Sequence, residues 1–415
     1  MFNTLFSTSA ATSLSRGGVE VRIAIVEGVR TPLCKARKGA LRDTTADRLL
    51  ASALSGLMAK VAKDRPDVTP GIVEDIVVGN VLQPGGGAAM ARMAMLVAGF
   101  PVETTLATTN RQCSSGLQAL ATVAGELLLG NCKVGIAAGV ESMSHDTIVP
   151  PKIDVGFVKS NAAAADCMIP MGVTSDIVAS KFAISRQEQD TLALTSHRKA
   201  RDAQAKGLFA HEIVQVQTKC GKDVAVDDCI RADCSAKGLA GLKPVFTKGG
   251  TSTSGNSSQM TDGAAALLVT TEARAIALNL TPKLFMLSYA AVGVPPSIMG
   301  VGPSVAIPEA VQRAGIALDD VDVFEINEAF ASQLIYCINV LGIPEAKVNP
   351  LGGGISLGHP LGCTGTRQVV TLMHHLRRTG KRYGVVSMCV GTGMGAAAVF
   401  ENPDYYCNPS PLSRL

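Results

Sequence analysis

The sequence predicts an α/β protein built from two similar halves around an inserted lid, and three observations predict it. Short apolar runs alternate with helical patterns, and many of those runs are apolar on both faces, as in a sheet covered by helices on each side. The order of elements repeats along the chain, which would set equivalent loops of the two halves side by side at one end. Between the halves, residues 145–260 are more charged, rich in Ser, Lys and Asp, and poor in long apolar runs.

The strand candidates are Arg22–Val26, Asp75–Val78, Val134–Ala138, Ala265–Val269, Lys283–Tyr289, Val321–Ile326, Tyr383–Met388 and Ala396–Phe400. Helical patterns fall at Ala46–Ala62, Ser114–Leu129, Arg186–Lys206, Pro308–Ala314, Glu328–Leu341 and Thr366–Thr379. Ser185-Arg-Gln-Glu188 is a capping box and Gly207 a stop, so the third helix is bracketed. In the early half two strands lead to Cys113 before a helix, then to a strand running into Gly139-Val-Glu-Ser142. In the late half two strands lead to His359 before a helix, then to a strand running into Cys389-Val-Gly391. Each half is expected to hold a parallel-rich sheet. The expected organisation is a tail (1–18), an N-terminal half (19–144), the lid (145–260), the last strand of the first half (261–275), a C-terminal half (276–402) and a second tail (403–415).

At 415 residues, 47% hydrophobic and 17% charged, the chain has enough apolar material for two or three cores. A net charge of +4 with no basic stripe, and no Trp at all, argues against a nucleic-acid partner. No long uncharged apolar window suggests a transmembrane helix. Eleven cysteines, an odd number, point to free thiols in a reducing compartment. Cys220, Cys229 and Cys234 match no zinc spacing and His211 is a poor fourth ligand, so no metal is expected.

Three stretches carry chemistry. Asn349–Arg367 packs six glycines and one histidine into nineteen residues without an acid. His359 lies between Gly358 and Pro360, so its ring is aimed, and the glycines suggest main chain meeting a ligand. Read alone, it is also compatible with a satisfied loop histidine. Cys113 immediately precedes a helix, where free N–H groups and the helix dipole favour a thiolate, although a buried thiol under a helix reads equally well. Cys389 ends a strand in a glycine loop. Gly391-Thr-Gly-Met-Gly395 imitates a nucleotide loop, but a strand follows it and no acidic ribose partner comes after. Glycine there would instead let backbone N–H groups face a substrate oxygen. Asn327-Glu-Ala-Phe330 follows a strand and reads as a helix N-cap.

The Cys113 segment (Asn110-Arg-Gln-Cys-Ser-Ser-Gly), Asn327-Glu-Ala-Phe330, Gly358-His-Pro360 and Cys389-Val-Gly-Thr-Gly393 occur together in the order of the thiolase family. The chain most resembles peroxisomal-type 3-ketoacyl-CoA thiolases, from about Arg22 to Glu401. Val140-Glu-Ser-Met-Ser144, Pro170-Met-Gly172, Leu242-Lys-Pro-Val-Phe246 and Gly255-Asn-Ser-Ser-Gln259 add to the likeness. Ser356 departs from the family's usual Ala, and Arg231-Ala-Asp-Cys-Ser235 from a more Pro/Thr-rich segment.

The resemblance implies a layered αβαβα core and thiolytic cleavage of 3-ketoacyl-CoA by CoA, giving acetyl-CoA and an acyl-CoA two carbons shorter. It implies Cys113 as nucleophile, His359 as its base, and Cys389 as the thiol that protonates the departing enolate and later deprotonates CoA. It gives Asn327 a water that, with His359, meets the enolate oxygen, and the backbone N–H groups of Cys113 and Gly391 as oxyanion hole. It places Met171, Arg231 and Ser258 against CoA and implies no metal or prosthetic group, since CoA is a substrate. Members pair as dimers, sometimes doubling to tetramers. Acetoacetyl-CoA synthesis is the rival reaction, and a silent scaffold or lipid carrier the rival class. Ser413-Arg414-Leu415 reads as a peroxisomal address for an import receptor, in a peroxisome or related organelle such as a glycosome. The Ser/Thr-rich start, with Arg16 its only basic residue, points instead to a mitochondrion.

Overall fold

The computed structural model describes residues 15–16 and 19–406. The Ser413-Arg414-Leu415 address and nearly all of residues 1–18 lie outside them. The first half runs β1 (Ile23–Arg30), α1 (Ala46–Asp64), β2 (Asp75–Gly79), α2 (Ala88–Val97), β3 (Thr105–Thr109), α3 (Ser115–Leu129) and β4 (Val134–Ser142). Residues 145–260 then contribute α4 (Met171–Lys181) and α5 (Arg186–Ala205), with short helices and a small hairpin. After them come β5 (Thr261–Thr271), β6 (Leu284–Gly293), α6 (Gly302–Arg313), β7 (Val323–Ile326), α7 (Ala331–Leu341), α8 (Leu361–Thr379), β8 (Tyr383–Val390) and β9 (Met394–Glu401).

The strand order is β7-β8-β9-β6-β1-β5-β4-β2-β3, with Cys34–Lys35 added beside β5. Each half repeats one pattern outward from the seam: β1-β5-β4-β2-β3 on one side and β6-β9-β8-β7 on the other. Val348 bridges Phe324 in parallel, a remnant of a fifth strand where the first half has β3. The halves meet where β6 pairs antiparallel with β1 over Leu284–Met286.

Three apolar clusters fix the layers. One buries α1 and α2 on the outer face of the first half-sheet, with Leu49, Leu50, Leu54 and Met95 against Ile76 and Leu268. A second fills the space between the half-sheets, where Leu117, Leu120 and Val123 of α3 and Val369, Val370 and Met373 of α8 face strands of both. The third packs Ile307 and Val311 of α6 and Leu334 of α7 on the outer face of the second half-sheet. The result is αβαβα, with α3 and α8 as the middle layer.

The expected parallel-rich sheets are corrected. Only β4–β2, β2–β3 and β7–β8 pair in parallel. The pairs β1–β5, β5–β4, β6–β9 and β8–β9 are antiparallel. The turn between β8 and β9 is far too short for the crossover that parallel pairing needs. The sequence reading also missed β3, an edge strand of Thr-Leu-Ala-Thr-Thr with little apolar face, along with α2 and α4.

A buried ion network ties residues 145–260 to the core. The Arg30 guanidinium on β1 clasps both oxygens of Asp227 at 2.7 and 2.8 Å and Glu212 at 2.6 Å. All three side chains are enclosed, and a buried charge is tolerated only with such complete pairing.

Candidate active site

The site forms where the two middle helices begin. Cys113 precedes α3, with Ser114 at the N-cap position, and His359 precedes α8 by two residues. The repeat therefore brings the Cys113 and His359 loops to one end. Cys113 is buried beside Ala36, Met143 and Leu361, with Val81 and Leu82 against it. The backbone N–H groups of Gly391 and of Cys113 itself donate toward its sulfur. Cys389, at the end of β8, is enclosed by Met299 and Ala329, with Met171 and Phe330 alongside. It lies near enough to Cys113 that charge on one thiol opposes charge on the other.

His359 is held on every side. Its N–H donates to Gln259 O and to Thr261 Oγ1, both at 3.1 Å. Ring Nδ1 lies 2.6 Å from Thr364 Oγ1. Asn327 Nδ2 sits 3.3 Å from Nε2 and 3.4 Å from Nδ1. Asn327 is itself fully buried, its N–H bound to Ser387 O at 2.8 Å, and its Oδ1 has no partner among the described residues.

Burial sets the protonation of the resting site. It raises the Cys113 thiol to about 11, against the two N–H groups that favour the thiolate. It lowers the His359 imidazole to about 3, helped by the nearby Arg367 charge. Cys389 is raised well above an ordinary thiol, again chiefly by burial. Of the two readings of Cys113, a helix-stabilised thiolate and a buried thiol, burial favours the second: desolvation of a fully enclosed charge outweighs the helix terminus. Both thiols and the imidazole rest neutral.

Two motif readings also change. Asn327-Glu-Ala-Phe330 precedes α7 instead of opening it, with Phe330 at the N-cap position. Glu328, expected in a first helical turn, is buried and accepts from Ser196 Oγ (2.6 Å), Asn349 Nδ2 (2.9 Å) and Ile355 N–H (3.1 Å). Ser356, the departure from Ala, joins this network through Ser196 Oγ at 2.8 Å.

Among the three residues expected against CoA, Met171 packs beside Cys389, and Ser258 N–H donates to Ala329 O at 3.0 Å in the same wall. Arg231 has a different anchor, its N–H donating to His197 Nδ1 at 3.2 Å. Sequence reasoning missed Thr364 and Glu141. Thr364 lies five residues past His359 in the same motif. Glu141 is the one carboxylate in the otherwise uncharged strand Val-Gly-Ile-Ala-Ala-Gly-Val-Glu-Ser. Among the described residues no group of three or more His, Cys, Asp or Glu side chains is placed to hold a metal ion. The ten described cysteines are free thiols.

The family models for the N-terminal and C-terminal domains of thiolase match residues 23–273 and 280–402. The chain belongs to the thiolase family. It is 52% identical over 390 residues to peroxisomal 3-ketoacyl-CoA thiolase B of Rattus norvegicus, covering 92% of this chain and 91% of the rat protein. Against the peroxisomal 3-ketoacyl-CoA thiolase of Homo sapiens the identity is 53% over 390 residues, at 92% and 91% coverage. The crystal structure of the dimeric peroxisomal thiolase of Saccharomyces cerevisiae superposes with a TM-score of 0.87 at 42% identity, covering 92% of this thiolase and 97% of the yeast chain. A second structure of the yeast enzyme is described as five-layered and built from two core domains of identical topology, which is the architecture found here. Human mitochondrial 3-ketoacyl-CoA thiolase in complex with CoA superposes with a TM-score of 0.82 at 35% identity, covering 92% and 98%. No described helix of this thiolase is long and apolar enough to cross a membrane.

Proposed function

We propose that this chain is a peroxisomal 3-ketoacyl-CoA thiolase of fatty-acid β-oxidation, an acetyl-CoA C-acyltransferase. One observation supports the reading above others: Cys113 and Cys389 lie near enough for charge on one to oppose charge on the other, and two backbone N–H groups are directed at the Cys113 sulfur.

In the cleavage step Cys113 sulfur attacks the C3 ketone while its proton passes to His359 Nε2. A neutral imidazole that accepts there carries its own proton on Nδ1, where Thr364 Oγ1 receives it. Breaking the C2–C3 bond leaves the acyl group on Cys113 and an enolate of acetyl-CoA. Cys389 gives that enolate its proton at C2, and His359 Nε2–H with the Asn327 amide region stabilises its oxygen. CoA then enters, Cys389 takes its thiol proton, and the CoA sulfur attacks the acyl-Cys113 carbonyl. The N–H groups of Cys113 and Gly391 receive the developing oxyanion, a role whose loss costs ~3 kcal/mol per donor. The kinetics are ping-pong. The resting neutrality of the three groups suits this sequence, because charge appears only as substrate bonds change.

Met171 and Ser258 supply the surface for pantetheine nearest the thiols, and Arg231 reaches CoA farther out on the 145–260 lid. The half and lid boundaries at 144, 260 and 275 follow from the same reading. The chain works as a homodimer, as the yeast relative does, and Ser413-Arg414-Leu415 directs import.

The test follows CoA-dependent loss of the 3-ketoacyl-CoA enolate absorbance with acetoacetyl-CoA and with a long-chain substrate. Wild type is expected to cleave, Cys113→Ala to be inactive, and the ratio of the two rates to give chain-length preference. A folded wild type that cleaves neither substrate leaves only the silent scaffold.

A further inference from the structure

The wall of Cys113 and the loop of His359 share a single anchor, a buried carboxylate. Glu141, next to last in β4, is wholly enclosed. Its Oε1 accepts the Leu82 N–H at 3.0 Å, and its Oε2 accepts those of Val81 at 3.2 Å and Gly362 at 2.9 Å. Val81, Leu82 and Leu361 are among the side chains packed around Cys113. Gly362 lies three residues past His359, in the first turn of α8. The carboxylate thus bonds to two separate stretches of chain, one walling the thiol and one carrying the histidine.

A carboxylate here is costly, and among the described residues it has no salt-bridge partner to justify it. Burial without bonds would cost several kcal/mol, and three N–H donors meet its needs instead. A strand residue so near the sheet end could be apolar without disturbing β4. What the carboxylate supplies at this position is its hold on two separate segments.

We propose that Glu141 is a positioning residue for the thiolytic reaction, fixing the Val81–Leu82 turn against the start of α8 so that His359 faces Cys113. The proposal rests on the reading of Cys113 and His359 as nucleophile and base. Two effects of the side chain act in opposite directions. Its bonds align the pair and favour turnover, whereas its charge opposes a thiolate on Cys113. Burial brings the Glu141 carboxyl to about 7, with the nearby Asp146 adding to the rise and the backbone donors resisting it. Cys113 and Cys363 are the thiols that feel its charge.

The opposition gives the test. Wild type, Glu141→Gln and Glu141→Asp are compared for steady-state cleavage of a 3-ketoacyl-CoA and for the rate at which iodoacetamide alkylates Cys113, read by peptide mass spectrometry across the neutral pH range. Glu141→Gln removes the charge and turns one acceptor into a donor facing N–H groups. It is expected to lose about 10- to 100-fold in kcat, the scale of a small misalignment, with KM within about twofold. Alkylation at a given pH should be as fast as in wild type or faster. Glu141→Asp keeps the charge and shortens the reach, so kcat should fall while the pH dependence of alkylation stays that of wild type. If Glu141→Gln does not fold, Glu141→Asp decides alone. Wild-type turnover in a folded variant overturns the proposal, as does many-fold faster alkylation in both variants together with a lowered melting temperature, which marks a general loosening of the buried site. Failure of wild type to cleave any substrate is a separate result, which removes the functional reading and the proposal with it.

Discussion

With burial holding Cys113 near 11 and His359 near 3, proton transfer between them is uphill until substrate supplies the bond that makes it worthwhile. The imidazole must then receive the proton at one defined nitrogen, and Thr364 is the group that defines it. Thr364→Val removes the Nδ1 partner while keeping the shape of the side chain. The expected result is a loss of about tenfold in kcat with little change in KM, the scale of one buried hydrogen bond. Thr364→Ser should restore most of it. Full activity in Thr364→Val would show that Asn327 and the loop backbone orient the ring unaided. Cys113, His359, Cys389 and Asn327 were readable together because their four segments match the order of the thiolase motifs, although each alone allowed an ordinary structural reading. Thr364 and Glu141 were not, because a threonine in a helical turn and an acid at a strand end are ordinary until their neighbours across the fold are known.

At the scale of elements, the glycines of Asn349–Arg367 were read as main chain approaching a ligand, and for one of them, Gly365, the structure gives another reason. A Cβ on Gly365 would lie 2.3 Å from the Leu117 N, and one on Gly116 would lie 2.7 Å from the Thr366 N. These glycines let α3 and α8 cross at backbone contact in the middle layer, which brings the two helix starts together. Gly365→Ala is therefore expected to destabilise the fold by about 1–3 kcal/mol, since neither backbone can yield cheaply. Denaturant unfolding of the variant measures this, and a stability equal to wild type would mean the crossing has slack. The helices α1, α3 and α5 were legible to within a residue or two because apolar spacing and caps both mark them. By contrast, α6 begins six residues earlier than read, since Pro303 and Pro308 masked its first turns. The edge strand β3 has no apolar alternation to detect.

Across the whole molecule, buried ionisable groups link the layers. Arg30 joins β1 to residues 145–260, and Arg367 of α8 faces Glu325 of β7 at 3.6 Å with both side chains enclosed. Burial raises Glu325 to about 8 and Glu141 to about 7, although Arg367 resists the first shift. The folded state keeps these protons at pH values where the unfolded chain, with carboxyls near 4.3, has released them. The unfolded state then binds fewer protons, so stability falls as pH rises through the folded values. The buried histidines add the opposite slope until the unfolded imidazoles, with values near 6.5, have lost their protons by about pH 7.5. The melting temperature should therefore fall between about pH 7.5 and about pH 8, and Glu325→Gln should flatten the fall. A melting temperature that rises over that range would contradict the assignment. The sequence by itself determined the two-half α/β plan and most of its strands, because local periodicity encodes them, and it pointed to Cys113, His359, Cys389 and Asn327 through their likeness to the thiolase motifs. Only the tertiary structure decided the mixed sheet direction, the neutral resting state and the anchors at Thr364 and Glu141. Strand pairing, desolvation and hydrogen bonds between distant segments exist only once the chain has closed on itself.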